Sequence, residues 1–219
     1  MNAFYKDELA FALVFSVLFQ ELFRYLIYLM LDRYKRSPLP HEVFHIFFSR
    51  ADTYLKKLTE TEETEIFANK HLLAYTVGLG FGLMSGAFSL VNVLADSLGP
   101  GTLGFHGEPS GFFIVSSLMT LAMILLHTAW GVIFFASMDT KTYWQTGYVI
   151  VTHLLVSCLS LLNNAGTGGS LYPASLLPTF LVLVVTSVLA VRLAGGTLSG
   201  LRKAVACSPA RTLQVPAEG

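Results

Sequence analysis

Five apolar runs, each long enough to cross a lipid bilayer, constrain what this chain of 219 residues can fold into. A bilayer core needs about 20 apolar residues in helical form. The runs predict an all-α fold, a polytopic transmembrane helix bundle with five spans. These lie at about residues 9–31, 72–94, 112–138, 143–162 and 171–193. Charged residues make up 13% of the chain, against about 25% in an ordinary soluble domain, which agrees with a membrane protein.

The bundle is predicted to occupy residues 1–203, with a cytosolic loop at 32–69 and a disordered cytosolic tail at 204–219. Within the loop, an amphipathic stretch from His41 to Leu58 indicates a helix, either at the lipid headgroups or packed on the bundle. A formal net charge of zero gives no global field that would attract nucleic acid. With two cysteines, a disulfide framework is not expected.

The distribution of Lys and Arg predicts the orientation. These residues occur in the segments after spans one, three and five, and the loops after spans two and four contain none. The positive-inside rule then places the N-terminus outside or in the lumen and the C-terminus in the cytosol.

Span two carries a stripe of small residues. Gly78, Gly82 and Gly86 recur every fourth residue, so in a helix they lie along one side. Three glycines there form a groove without side chains, and such a groove lets another helix approach closely in lipid. We interpret these three residues as a helix-packing and assembly element of the GxxxG type.

Ionisable side chains within span one are candidates for function, because charge is costly inside a membrane. Glu21 and Arg24 are neighbours on one helix face, so they can neutralise each other or reach a partner. Gln20 beside them is expected to form a hydrogen bond across helices. An internal pair that faces the bundle is the structural interpretation, and a functional one stays open.

Span three contains His127 and span four contains His153. The two spans are antiparallel, and both residues lie about 15–17 Å from the cytosolic helix ends at about 1.5 Å per residue. We expect the two rings to meet near the midplane. A polar contact that fixes packing, a proton or metal site, and the lining of a solvated cavity are the alternatives. No Cys, Asp or Glu lies in these two spans near their depth to complete a metal site.

Intrinsic catalysis is not predicted. An aspartyl intramembrane protease needs two aspartates within the membrane that share a proton, whereas Asp96 is predicted at the luminal end of span two and Asp139 at the cytosolic end of span three. Ser157 is four residues from His153 on one helix, a spacing that many core helices share. A hydrolase built on His127 or His153 would also need a nucleophile or acid at their depth on a neighbouring helix, and none is clear.

Several motifs together resemble the anterior-pharynx-defective family, which supplies the scaffold subunit of γ-secretase. They are QELFRY (20–25), GLGFGLMSGAFSLVNVLADSLGPGTLGFHGE (78–108), LLHTAWGVIFF (125–135), THLLVSCLSLLN (152–163), YPASLLP (172–178) and LAGGTLSGLRK (193–203). The resemblance covers nearly all of residues 9–203 except the long loop. The family has seven spans, and its first two have no counterpart here, which preserves the predicted orientation.

The resemblance implies a non-catalytic assembly subunit without a cofactor. Its partners would be nicastrin, presenilin, which carries the catalytic aspartates, and the presenilin-enhancer subunit. It also implies a place in the endoplasmic reticulum, Golgi and plasma membrane, and in the processing of Notch and amyloid-precursor stubs. Gly78, Gly82 and Gly86 match the family's assembly glycines, and His127 and His153 match its buried histidines.

The alternative from a different class is a small proton-coupled transporter or channel-like protein. It would use Glu21, Arg24, His127 and His153 in a wet cavity at the midplane. Some transporters show an inverted repeat, and no convincing repeat relates the spans of this chain.

Overall fold

A computed structural model describes residues 3–36, 70–95, 97–98, 103–104, 111–163 and 171–196. The elements are α1 (Ala3–Arg36), α2 (Lys70–Ala95), β1 (Ser97–Leu98), β2 (Leu103–Gly104), α3 (Phe112–Thr140), α4 (Tyr143–Ser160), a short 3₁₀ helix (Leu161–Asn163) and α5 (Tyr172–Leu193). The strands pair antiparallel, with Ser97 opposite Gly104. The predicted amphipathic stretch 41–58 and the tail 204–219, which we predicted to be disordered, lie outside the described residues.

The prediction of an all-α bundle with five spans is confirmed within the described part of the chain. All five long helices are apolar and long enough to cross a membrane. The first helix runs on to Arg36, past the predicted boundary at residue 31. Its last turn is charged, and a helix leaving the bilayer can continue with charged side chains although the apolar run has ended. The predicted cytosolic segment 32–69 therefore begins with helix, and its boundary with the membrane stays a prediction.

Helix α3 is the centre of the bundle. In its membrane segment 72% of the residues are buried, against 17% in that of α1. Helices α2, α4 and α5 all pack on α3, whereas α1 packs mainly on α4. The core includes Leu126, Trp130 and Ile133 of α3 and Val149 and Val156 of α4. The remaining helices keep a wide apolar surface that faces outward from the bundle.

A tight turn sets the register of α3 against α4. Lys141 adopts a left-handed conformation with φ 56° and ends α3. The hydroxyl of Ser137 then donates to the carbonyl of Thr142 at 2.9 Å and contacts the Thr146 hydroxyl at 2.8 Å. Because the turn is short, residues at equal distances from it along the two helices lie at similar depth in the bundle.

At the same end of the bundle, Asp139 ties three helices together. Its carboxylate accepts from the Tyr28 hydroxyl of α1 at 3.1 Å and pairs with Lys70 of α2 at 3.1 Å. The ends of α1 and α2 are thereby held beside the end of α3.

Candidate functional site

The most polar part of the bundle lies on the inner face of α1. Within residues 11–33, where side chains are described, the buried ones are Val17, Glu21, Arg24 and Leu31. Their spacing of three, four and seven residues is that of a single helix face. Within this range, two of the four buried residues thus form an ion pair, and the other two are apolar.

Glu21 and Arg24 bond directly to each other. Nη1 of Arg24 lies 2.6 Å from both carboxylate oxygens of Glu21. The two side chains are 5% and 2% exposed, so neither is solvated by bulk water. A buried charge requires a partner, and each of these residues supplies the other's.

Two histidines extend the pair into a chain of four side chains. Nδ1 of His153, on α4, lies 2.7 Å from Oε1 of Glu21. Nη2 of Arg24 lies 2.9 Å from Nδ1 of His127, on α3. We call His153, Glu21, Arg24 and His127 the polar chain. It joins α1, α3 and α4, and it gives Glu21 and Arg24 contacts beyond each other.

The hydrogen bonds assign the proton positions in both histidines. A guanidinium can only donate, so Nδ1 of His127 accepts from Arg24 and its proton resides on Nε2. A carboxylate can only accept, so Nδ1 of His153 carries a proton and donates to Glu21. With both rings neutral, the polar chain has no net charge, which is the least costly state in a buried site. The two histidines are therefore opposite tautomers.

Aromatic side chains hold the polar chain in place. Trp130 stacks on His153 with ring centroids 4.6 Å apart, and its Nε1 donates to the Thr152 hydroxyl at 3.0 Å. The two histidine rings meet edge to face at 4.9 Å. On the other side, Phe81 of α2 lies 5.2 Å from the His127 ring and also 5.2 Å from the guanidinium carbon of Arg24. Such cation–π contact favours a desolvated cation.

The sequence predicted that the two histidines meet, but it did not predict the whole polar chain. His127 and His153 are each thirteen residues from Thr140, at the turn between α3 and α4. Glu21 lies ten residues before the predicted end of its span, so the same depth argument would have placed it near the depth of the histidines, but it was applied only to the histidines. Trp130, three residues after His127, shares its helix face and was missed although that spacing signalled it.

The three glycines of α2 pack against α3 of the same chain. A Cβ atom at Gly78 would lie 2.8 Å from the carbonyl oxygen of Thr128, and one at Gly82 would lie 2.6 Å from that of Ile124. At Gly86 the obstacle is the Ile124 side chain, at 2.5 Å. Gly131 of α3 complements the groove, because a Cβ there would lie 2.7 Å from the Gly78 Cα.

Gln20 stands apart from the polar chain. Its Nε2 donates to the Ser16 hydroxyl at 3.4 Å, within α1, rather than across helices as we had predicted. Its Oε1 is buried and has no hydrogen-bond partner in the part of the chain that the structure describes. The reason is its position around the axis of α1. Gln20 lies beside the buried face of this helix and not on it, so its side chain bonds within α1 and not to α4.

A cavity of about 580 Å³ adjoins the polar chain. His127, His153 and Gln20 line it, together with residues of four helices that carry hydroxyl groups. Those hydroxyl residues are Ser16, Ser85, Ser89, Ser116, Thr120, Ser157 and Ser160. On α1 every lining residue precedes Glu21, so the cavity lies entirely on one side of the ion pair.

The geometry offers little to catalysis. The carboxylate of Glu21 is occupied by Arg24 and His153, so it is not a free base. Asp139 lies at the end of α3 and pairs with Lys70. Within the described ranges, no group of three His, Cys, Asp or Glu side chains could hold a metal ion.

Comparison with known proteins gives a consistent result. The family model described as Aph-1 protein matches residues 1–197. The "Gamma-secretase subunit Aph-1" of Drosophila melanogaster is 46% identical over 202 residues, which cover 92% of this chain and 75% of that protein. The "Gamma-secretase subunit Aph-1b" of Danio rerio is 43% identical, with 92% and 69% covered. The human "Gamma-secretase subunit APH-1B" is 38% identical, with 92% and 68% covered.

These relatives bear on two of our expectations. They confirm the family resemblance that the sequence motifs indicated. Their names give no support to the alternative of a proton-coupled transporter.

Proposed function

This chain belongs to the Aph-1 family, and from that premise we propose that it is a non-catalytic scaffold subunit of a γ-secretase complex. The observation that carries the proposal is the family match over residues 1–197, with 46% identity to a named γ-secretase subunit. The complex would process stubs of single-span membrane proteins, such as those of Notch and the amyloid precursor.

The structure supports a structural role for the polar chain rather than a chemical one. Glu21, Arg24 and Nδ1 of both histidines are engaged with one another. Hydrogen bonds between membrane helices fix their pairing and rotation. The polar chain therefore sets how α1 sits on α3 and α4, and with it the outer surface that α1 presents.

A scaffold needs surface for partner helices, and α1 and α2 supply it. Only 17% and 22% of the residues in their membrane segments are buried within the chain. We propose that presenilin, nicastrin and the presenilin-enhancer subunit are the partners, and that the endoplasmic reticulum, Golgi and plasma membrane are the locations. Because the glycine stripe is filled by α3, it contributes to assembly indirectly, by fixing α2 on α3.

Co-purification tests the scaffold role. The tagged chain is expressed with the three proposed partners and extracted in a mild detergent, with the Drosophila relative as positive control. We expect all three partners to be recovered with the chain. Recovery with the relative but not with this chain would contradict the proposal.

A second experiment tests the absence of catalysis. The purified chain alone is incubated with a stub of a single-span membrane protein in lipid vesicles, and the reassembled complex is incubated in parallel. Cleavage is expected only with the complex. Cleavage by the chain alone would contradict the proposal that this subunit is non-catalytic.

A further inference from the structure

Three polar atoms beside the polar chain have no hydrogen-bond partner among the described residues. Nδ1 of each histidine is bonded to α1, which leaves Nε2 of both residues for the cavity that they line. The third atom is the buried, unpartnered Oε1 of Gln20, which lines the same cavity. These observations on the three atoms do not depend on the proposed function.

The tautomer of each histidine determines whether its Nε2 donates or accepts a hydrogen bond. Nε2 of His127 carries the proton and donates, because Arg24 occupies Nδ1 as a donor. Nε2 of the neutral His153 accepts, because its proton is on Nδ1 toward Glu21. The cavity thus presents one donor, His127, and two acceptors, His153 and Gln20.

The orientation of these groups is supported by their neighbours. Trp130 stacks on the His153 ring and the two histidine rings meet edge to face, which restricts rotation of both. The Ser16 hydroxyl engages Nε2 of the Gln20 amide, which leaves Oε1 as the free end. Groups held in this way are pre-organised for a ligand and lose little entropy when it binds.

A complementary ligand needs two donors and one acceptor. A primary carboxamide has this set, with two N–H groups and one carbonyl oxygen. A carboxylate only accepts, and an ammonium only donates. A charged ligand would also bring net charge next to the buried and neutral polar chain, which is costly.

We propose that this cavity binds a primary carboxamide carried on an apolar body. The carbonyl accepts from Nε2 of His127, and the two N–H groups donate to Nε2 of His153 and Oε1 of Gln20. The volume of about 580 Å³ lies within the range of about 300–1,000 Å³ typical of small-molecule sites. Apolar lining such as Val17, Met119 and Met123 contacts the body of the ligand.

The test uses the full chain in lipid nanodiscs, with ¹⁵N-labelled histidine observed by NMR. Isobutyramide is titrated as the probe, beside isobutyrate and N,N-dimethylisobutyramide, which have similar bodies and no N–H donors. We expect isobutyramide to shift the Nε2 signals of His127 and His153 saturably, and the other two to leave them unchanged. The absence of a saturable shift, or an equal shift with the dimethyl compound, overturns the proposal.

Variants on α1 provide a second, independent measurement. Gln20→Leu removes one acceptor and should raise the half-saturating concentration about fivefold, the equivalent of one hydrogen bond of about 1 kcal/mol. Phe19→Leu, at the adjacent and outward-facing position, should leave it unchanged. A Gln20→Leu chain with normal histidine signals and the wild-type midpoint would also overturn the proposal.

Two sources could supply the amide, a free molecule or an Asn or Gln side chain of a partner helix. The titration is therefore repeated on the complex assembled with the partner subunits. Loss of the isobutyramide response there assigns the amide to a partner's side chain. A retained response assigns the site to a free amide.

Discussion

At the scale of single residues, the polar chain is balanced in charge and in hydrogen bonding. Glu21 and Arg24 cancel each other, and each also bonds to one neutral histidine. Removing one member of such a buried pair leaves an uncompensated charge, which costs more than removing both.

We expect Glu21→Gln alone to lower the free energy of unfolding by about 3 kcal/mol or more, because the Arg24 cation stays buried without its counter-ion. The double variant Glu21→Gln with Arg24→Met should recover part of that loss. Reversible unfolding in mixed detergent micelles measures both, with Leu22→Ala at an outward-facing position as the control. A double variant that is no more stable than Glu21→Gln alone would contradict this expectation.

The hydrogen bond between Trp130 and Thr152 offers a finer test. Thr152→Val leaves the buried indole N–H without an acceptor, at a cost of about 1–3 kcal/mol. Thr152→Ser retains the acceptor and should cost at most about 1 kcal/mol for the lost methyl group. The same unfolding measurement compares the two, and equal losses would show that the bond contributes nothing.

At the scale of helices, α2 and α3 are held by backbone contact. The stripe of Gly78, Gly82 and Gly86 and the facing Gly131 let the two helix axes approach closely. Gly80 lies on the open side of the same helix, where an added Cβ meets nothing within 4 Å. It provides a matched control for the stripe.

Gly82→Ala should lower the free energy of unfolding by about 1–3 kcal/mol, since its Cβ meets the Ile124 carbonyl, which cannot move independently of α3. Gly86→Ala should cost less, because only the flexible end of the Ile124 side chain has to shift. Gly80→Ala should be neutral or stabilising, because alanine favours helix. An equal loss at Gly80 and Gly82 would refute close packing as the cause.

At the scale of the whole molecule, orientation in the membrane stays a prediction from the placement of Lys and Arg. An N-glycosylation acceptor requires Asn, any residue except Pro, and then Ser or Thr. Pro100→Asn completes one with Gly101 and Thr102 between spans two and three, and Thr59→Asn completes one with Glu60 and Thr61 after span one.

Expressed with microsomes, the Pro100→Asn chain should gain a glycan, seen as a mobility shift that a glycosidase removes. The Thr59→Asn chain should not, because the positive-inside rule places that segment in the cytosol. The reverse pattern would invert the predicted topology.

How much of this structure the sequence could predict depended on whether a feature is marked by hydropathy and by distance along the chain. The span count followed from apolar length alone, because only that quantity decides whether a helix crosses the bilayer. The equal depth of His127 and His153 followed from counting residues to a short turn. The end of α1 did not follow, because a helix can continue into charged residues where hydropathy no longer marks it.

By itself, the sequence determined the five helices, the glycine stripe and the depth of the buried polar residues, since these depend on local composition and on distance along the chain. Only the tertiary structure decided which helix fills the stripe, and how α1 is rotated. That rotation joins Glu21 to His153 and Arg24 to His127, and leaves Gln20 beside the cavity. Rotation and choice of neighbour result from packing of all helices together, which no single segment encodes.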